Sequence, residues 1–279
     1  MTETFSVRKY LRDLKLPFCP GCGLFTVMNS FLKAVHESDH KNLSKFVFCS
    51  GIGCSAWIPS PYFIADSIHT PHGRSIPVAT GIKLLRPDLN VVVFGGDGDI
   101  VGIGLSHFIH AARRNLDVLV IMVNNMVYGM TGGQVAPTTP FGTKTTTTPY
   151  GSFEQPLDAT RLAVTAGACY STRWTTAHPN ELKDSIKKAI KMQGFRFIEV
   201  VSQCPTAFGR KAVFKDAGEM LKWFKQNSIP IQQAKQMSGE ELVNKIVIGV
   251  FIRRKRPSLI KAIYGTIEEM QKNCRTRLK

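Results

Sequence analysis

The chain has no run of about eighteen apolar residues, so no stretch of it reads as a membrane-spanning helix. Its first segment, Met1 to Lys15, is too polar for the apolar centre of a secretory signal, and a cytoplasmic location is expected. No internal repeat is present, and no low-complexity stretch beyond Thr145 to Thr148. Acidic residues are scarce beside basic ones, 20 against 36, for a formal net charge of +16. That excess invites a nucleic-acid reading, but it is scattered, and its densest run, Arg253 to Arg256, follows a strand-like segment in the tail. A solvated face or a docking surface for an acidic protein suits the run better, and neither nucleic acid nor membrane is expected as a partner. An even disulfide framework is also missing. Seven cysteines, with a Cys-x-x-Cys and no secretory segment, favour metal or redox use in a reducing compartment.

What is present is 279 residues with 43% hydrophobic content, enough for one large α/β core or two small ones. Apolar residues at Leu24, Val27, Met28, Phe31, Leu32 and Val35 predict a helix over 24–35. Lys45 to Phe48 reads as a short strand and Val78 to Leu85 as a short helix. Asn90 to Phe94 and Val118 to Val123 are β-branched runs that read as buried strands, with a helix over Val101 to Arg114 between them. Thr138 to Tyr150, rich in threonine, proline and glycine, reads as a surface loop or lid. Asn180 is the expected cap of a helix over Glu181 to Met192, and strand Phe195 to Val201 follows. Beyond residue 215 the pattern changes to a helix over Glu219 to Phe224, a strand over Lys245 to Phe251 and a basic, frayed end. Alternating strands and helices make this an α/β chain with a mostly parallel sheet flanked by helices.

The most informative segment begins where the first β-branched strand ends. Gly-Gly-Asp-Gly-Asp, residues 95–99, lies ahead of Asn124-Asn125-Met126-Val127-Tyr128, so Asp97 and Asn125 fall at the carboxyl ends of two strands joined by a helix. At that edge of a parallel sheet, glycine amides and a helix N-terminus favour an anion. Magnesium takes one or two oxygen ligands from protein and the rest from phosphate and water. The Asp97 carboxylate and the Asn125 amide suit that part, with the Val127 carbonyl as a third. Either half alone reads as an ordinary turn; in strand-turn-helix-strand order the two read as a diphosphate-and-magnesium site.

This wording resembles the thiamine diphosphate signature, Gly-Asp-Gly followed by Asn-Asn after the 25 residues Asp99 to Val123. Further stretches resemble the β subunits of 2-oxoacid:ferredoxin oxidoreductases: Leu16 to Gly23, Ser50 to Ser55, His72 to Gly81 and Tyr128 to Thr139. The resemblance implies a thiamine diphosphate-binding fold, with residues 1–215 as a thiamine diphosphate and iron–sulfur domain and 216–279 as a short C-terminal extension. It also implies oxidative decarboxylation of a 2-oxoacid, with coenzyme A taking the acyl group and a 4Fe–4S cluster passing electrons to ferredoxin. By position, Asp97, Asn125 and Val127 would hold magnesium, while Ile52, Gly53, Cys54, Ser55, His72, Gly98, Asp99, Gly129 and Met130 would line the cofactor. His69 is the lesser choice beside His72.

The resemblance maps the cluster ligands onto Cys19, Cys22, Cys54 and Cys204. Taken alone, Cys19-Pro-Gly-Cys22 would also suit a zinc half-site or a redox pair. Cys49, Cys169 and Cys274 are expected to be structural or neutral. No catalytic residue is assigned in this chain, because the glutamate that activates the aminopyrimidine is expected on a partner α subunit, with further ferredoxin-like chains in some relatives. Tyr128 to Gln134 looks most like 2-oxoglutarate members, but Gly132 stands where some relatives carry lysine, so pyruvate and branched-chain 2-oxoacids stay open. A non-redox thiamine decarboxylase and a zinc-binding, nucleic-acid-associated module are the rival readings.

Overall fold

Strands buried on both faces need helices on both sides of the sheet, and the chain supplies them in alternation. The computed structural model describes residues 4–212 and 214–277, so the outer limits of the two expected regions, 1–3 and 278–279, lie outside the described residues. In chain order the elements are α1 (Leu24–His36), β1 (Phe46–Ser50), β2 (Asp66–His69), α2 (Ser75–Leu85), β3 (Asn90–Gly96), α3 (Leu105–Arg113) and β4 (Leu119–Asn124). Then come the two-residue strands β5 (Val127–Tyr128) and β6 (Gln134–Val135), followed by α4 (Ala159–Ala166), β7 (Tyr170–Thr175), α5 (Pro179–Ile190) and β8 (Arg196–Val201). The last elements are α6 (Ala217–Asn227), β9 (Ser228–Pro230), α7 (Ile231–Ala234), β10 (Ile246–Arg253) and α8 (Leu259–Arg277).

The main sheet has the order β2-β1-β3-β4-β8-β7-β10-β9. From β2 to β7 the neighbours run parallel; β10 is antiparallel to β7, and β9 is parallel to β10. Side chains alternate between two cores. On one face Val92, Phe94, Ile121, Val123, Ile198 and Val200 pack with α1 and α5; on the other, Val91, Val93, Val120, Met122 and Phe197 pack with residues of α2, α3, α4 and α8. Phe31 of α1 anchors the first core, its ring centroid 5.2 Å from Phe94, 5.6 Å from Phe48 and 5.9 Å from Phe63.

Several elements depart from their sequence expectations. The helix expected over 101–114 is a wide turn over Gly98–Ile103 followed by α3, because Gly102 takes a non-helical conformation and breaks the run. Asn180 lies inside α5 rather than capping it, since Pro179 occupies the first turn and His178 the cap. The end expected to fray is the helix α8, and β10 joins the main sheet. Two arginines of the basic run are committed to the fold. Arg254 Nε donates to the Ala168 carbonyl at 3.1 Å and Arg256 to the Gly167 carbonyl at 2.7 Å, just past the C-terminal end of α4. Among the described residues no helix is long and apolar enough to cross a membrane.

Candidate functional site: the carboxyl edge of the parallel sheet

Strands β1, β3, β4 and β8 are neighbours, and their carboxyl ends open on one cavity of about 580 Å³. Asp97, Gly98 and Asp99 reach it from the end of β3, and Asn125, Val127, Gly129 and Met130 from the end of β4. The turn after β1 brings Ile52, Gly53, Cys54 and Ser55, and His72 enters just ahead of α2. Cys19 and Cys22 precede α1, and Cys204 follows β8. His69 packs on Trp57 and is not part of the lining. Cys49 is buried in β1, Cys169 is buried with its thiol toward the Asn115 amide oxygen at 3.1 Å, and Cys274 is exposed on α8.

At the end of β3 the chain is pressed against its neighbours. A side chain at Gly98 would overlap the Tyr128 ring, so only glycine lets β3 and the segment after β4 meet there. Asp97 is almost wholly buried, and that burial pushes its carboxyl up to about 7, against the Thr138 hydroxyl and the backbone amides that favour the ion. One amide atom of Asn125 stands 3.0 Å from Asp97 Oδ1 and 2.8 Å from the Val127 carbonyl oxygen. Placed there, the NH2 donates to both acceptors. With the amide oxygen there, three oxygens converge, which is the donor set of a hard divalent cation. Met126, between the two, holds φ at 63°, a left-handed conformation fixed by a 3.0 Å hydrogen bond from its amide to Asn124 Oδ1.

Asp99 organises the opposite wall. Its Oδ1 accepts from the amides of Gly73 at 2.7 Å and Ile52 at 3.3 Å, and lies 2.9 Å from His72 Nδ1. Burial raises its carboxyl above the ordinary range, while Gly73 and His72 pull it down. Oδ2 of the same residue is buried with no hydrogen-bond partner among the described residues.

The four cysteines share the cavity wall although the chain separates them widely. Burial pushes the Cys22 thiol up to about 12, and the sulfurs of Cys204, Cys54 and Cys19 push it the same way. Burial raises Cys54 too, with Cys204 and Cys19 adding to it. Among the described residues no three His, Cys, Asp or Glu side chains are grouped to hold a metal ion.

Sequence reasoning missed the residues behind the edge. Thr138 and Thr139, expected in a surface loop, are buried, and Thr138 Oγ1 lies 2.5 Å from Asp97 Oδ2 and 2.9 Å from Asn124 Oδ1. Thr139 donates to the Met126 carbonyl at 2.6 Å. Gly132 holds φ at 115°, a backbone that a lysine would adopt only under strain.

Residues 51–200 match the family model described as thiamine pyrophosphate enzyme, C-terminal TPP binding domain. Over 94% of its length the chain is 53% identical to 2-oxoglutarate synthase subunit KorB of Methanocaldococcus jannaschii, covering 97% of that protein. It is 52% identical to the subunit of the same name from Methanothermobacter marburgensis, with 94% of this chain and 92% of the relative aligned. The chain belongs to the β subunits of the 2-oxoacid:ferredoxin oxidoreductases. A solved 2-oxoglutarate:ferredoxin oxidoreductase from Magnetococcus marinus, with 2-oxoglutarate, coenzyme A and succinyl-CoA bound, superimposes with a TM-score of 0.83 at 32% identity, covering 96% of this β subunit and 92% of that chain. The segment matched to the thiamine pyrophosphate domain contains Asp97, Asn125 and Cys54, while Cys19, Cys22 and Cys204 lie outside it.

Proposed function

We propose that this β subunit provides the diphosphate and electron-transfer half of an enzyme that oxidatively decarboxylates 2-oxoglutarate to succinyl-CoA, with ferredoxin as electron acceptor. The observation that carries the reading is that one amide atom of Asn125 stands 3.0 Å from Asp97 Oδ1 and 2.8 Å from the Val127 carbonyl oxygen, in the wall of a cavity that four cysteines also line. Asp97, the Asn125 amide and the Val127 carbonyl would hold magnesium, with diphosphate and water completing its shell. Bound thiamine diphosphate supplies the carbon nucleophile for attack on the 2-oxoacid. The chain's own part is orientation. Asp99 fixes the turn of Ile52 and the His72–Gly73 segment, and Gly98, Gly129 and Met130 give the cofactor its contact surface. Gly53, Cys54 and Ser55 continue that surface from the turn after β1.

Cys19, Cys22, Cys54 and Cys204 would ligate a 4Fe–4S cluster in the same cavity, which keeps the electron path from the cofactor short. The glutamate that activates the aminopyrimidine would come from an α subunit. A net charge of +16 suits the steering of an acidic ferredoxin.

Co-expression with the α subunit, anaerobic purification and coenzyme A-dependent ferredoxin reduction test the reading. The highest kcat/KM is expected with 2-oxoglutarate, ahead of pyruvate and 2-oxoisovalerate, in a brown protein bleached by dithionite. Preference for pyruvate would remove the substrate assignment, and a colourless, zinc-loaded protein would remove the cluster.

A further inference from the structure

Strand β8 carries two buried charges, Arg196 at its first position and Glu199 among the apolar residues that follow; Glu199 is 2% exposed and lies in register with Arg173 of β7 and Met122 of β4. Burying a carboxylate is costly unless every lone pair it loses to water is used. Here the use is divided. Oε2 accepts from Arg173 Nε at 2.8 Å and from the Thr160 hydroxyl, while Oε1 accepts from Asn124 Nδ2 at 2.8 Å. Arg173 is held in turn by Asp158, whose Oδ1 is 2.5 Å from its terminal nitrogen and also caps α4.

Committing the Asn124 NH2 to Glu199 leaves the Asn124 oxygen no choice of direction. It faces the site, where it accepts from the strained Met126 amide and stands 2.9 Å from Thr138 Oγ1. The single Thr138 hydroxyl proton lies between that oxygen and Asp97 Oδ2, the nearer at 2.5 Å, so that Oδ1 is the Asp97 oxygen turned toward Asn125. A simple Arg173–Glu199 ion pair accounts for Oε2 alone; it leaves unexplained why Oε1 is given to the residue next to Asn125.

We propose that Glu199 is a positioning residue for the cation site: through Asn124 and Thr138 it fixes which oxygen of Asp97 faces the metal and holds the turn that aims the Val127 carbonyl. The proposal rests on Asp97, Asn125 and Val127 being the magnesium ligands. Only a carboxylate meets the geometry, because donors approach both of its oxygens. A glutamine must point its NH2 either at the Arg173 guanidinium or at the Asn124 NH2. The charged partner claims the oxygen, and Asn124 is then driven to turn over.

The test is the magnesium concentration that half-saturates thiamine diphosphate binding to the assembled α–β complex, followed by titration calorimetry. Glu199→Gln and Thr138→Val are each expected to raise it by about tenfold, the weight of one hydrogen bond to a charged acceptor. Thr138→Ser, which keeps the hydroxyl, should restore a value near that of the unmodified complex. Should Glu199→Gln fail to fold, Asn124→Leu cuts the same link while leaving the ion pair and Asp97 in place, and the same rise is expected. A lowered Tm with an unchanged magnesium requirement in Glu199→Gln or Asn124→Leu, or an unchanged requirement in Thr138→Val, would overturn the proposal and leave Glu199 a structural ion pair. Binding of thiamine diphosphate to the unmodified complex with no magnesium requirement would instead bring down the cation site itself.

Discussion

Asp97→Asn separates the needs of the fold from the needs of the cofactor. Asparagine has the shape of aspartate, and its NH2 can donate to the oxygens that face Asp97 Oδ1, so the three-oxygen arrangement is satisfied without a cation. The change removes the only anionic side chain of the proposed magnesium set. Two unit charges about 4 Å apart at an effective dielectric near 20 interact by about 4 kcal/mol, which is roughly a thousandfold in affinity. A divalent ion in direct contact exceeds this before its dehydration is charged against it, so the thousandfold figure serves as the working magnitude. Stability should move the other way. Burial raises the Asp97 carboxyl from its ordinary value to about 7, so in the metal-free protein its contribution is most favourable at acid pH, where it is protonated. That contribution is lost as pH rises through about 7. At pH 8 the metal-free variant is therefore expected to melt at or above the unmodified protein. Calorimetric titration of magnesium and thiamine diphosphate into the α–β complex, beside thermal melts with and without both ligands, measures the two effects. Unchanged affinity in the variant, or a large fall in the Tm of its metal-free form, would refute the reasoning.

Cys204→Ser replaces a thiolate with a harder, far less acidic oxygen and is expected to lose or convert the cluster, so that ferredoxin reduction collapses while release of labelled carbon dioxide persists in part. The Cys49 thiol is buried and pushed up to about 12, so Cys49→Ser should keep the visible spectrum, and Cys49 should resist alkylation at pH 8 until the protein unfolds. Phe31→Ala empties the centre of the aromatic cluster formed with Phe46, Phe48, Phe63 and Phe94, and a loss of about 3–5 kcal/mol is expected in denaturant titrations. Gly98→Ala drives a methyl into the Tyr128 ring; weaker thiamine diphosphate binding with little change in Tm is the expected pair of results, and unchanged binding would show that Tyr128 moves freely.

What the sequence determined by itself is whatever neighbouring residues decide. The β-branched runs that became β3 and β4, the glycines that end β3 and the helical stripe of α1 are legible because a period of two or of 3.6 is a local property of the chain. The Asp97–Asn125 constellation is legible for the same reason, since its two halves close adjacent strands of one β-helix-β unit. The tertiary structure alone decided the rest. Sheet order puts β8 beside β4, and only that adjacency carries Cys204 to the cavity of Cys19, Cys22 and Cys54 and sets Glu199 against Asn124. Thr138 gave no sign of burial, because its neighbours are the polar and turn-forming residues of a loop; the cover over the β3 and β4 ends comes from folding that loop back. The strand β10 was readable as a strand but not as part of the main sheet, because its antiparallel pairing with β7 depends on an edge that exists only once the parallel strands have assembled.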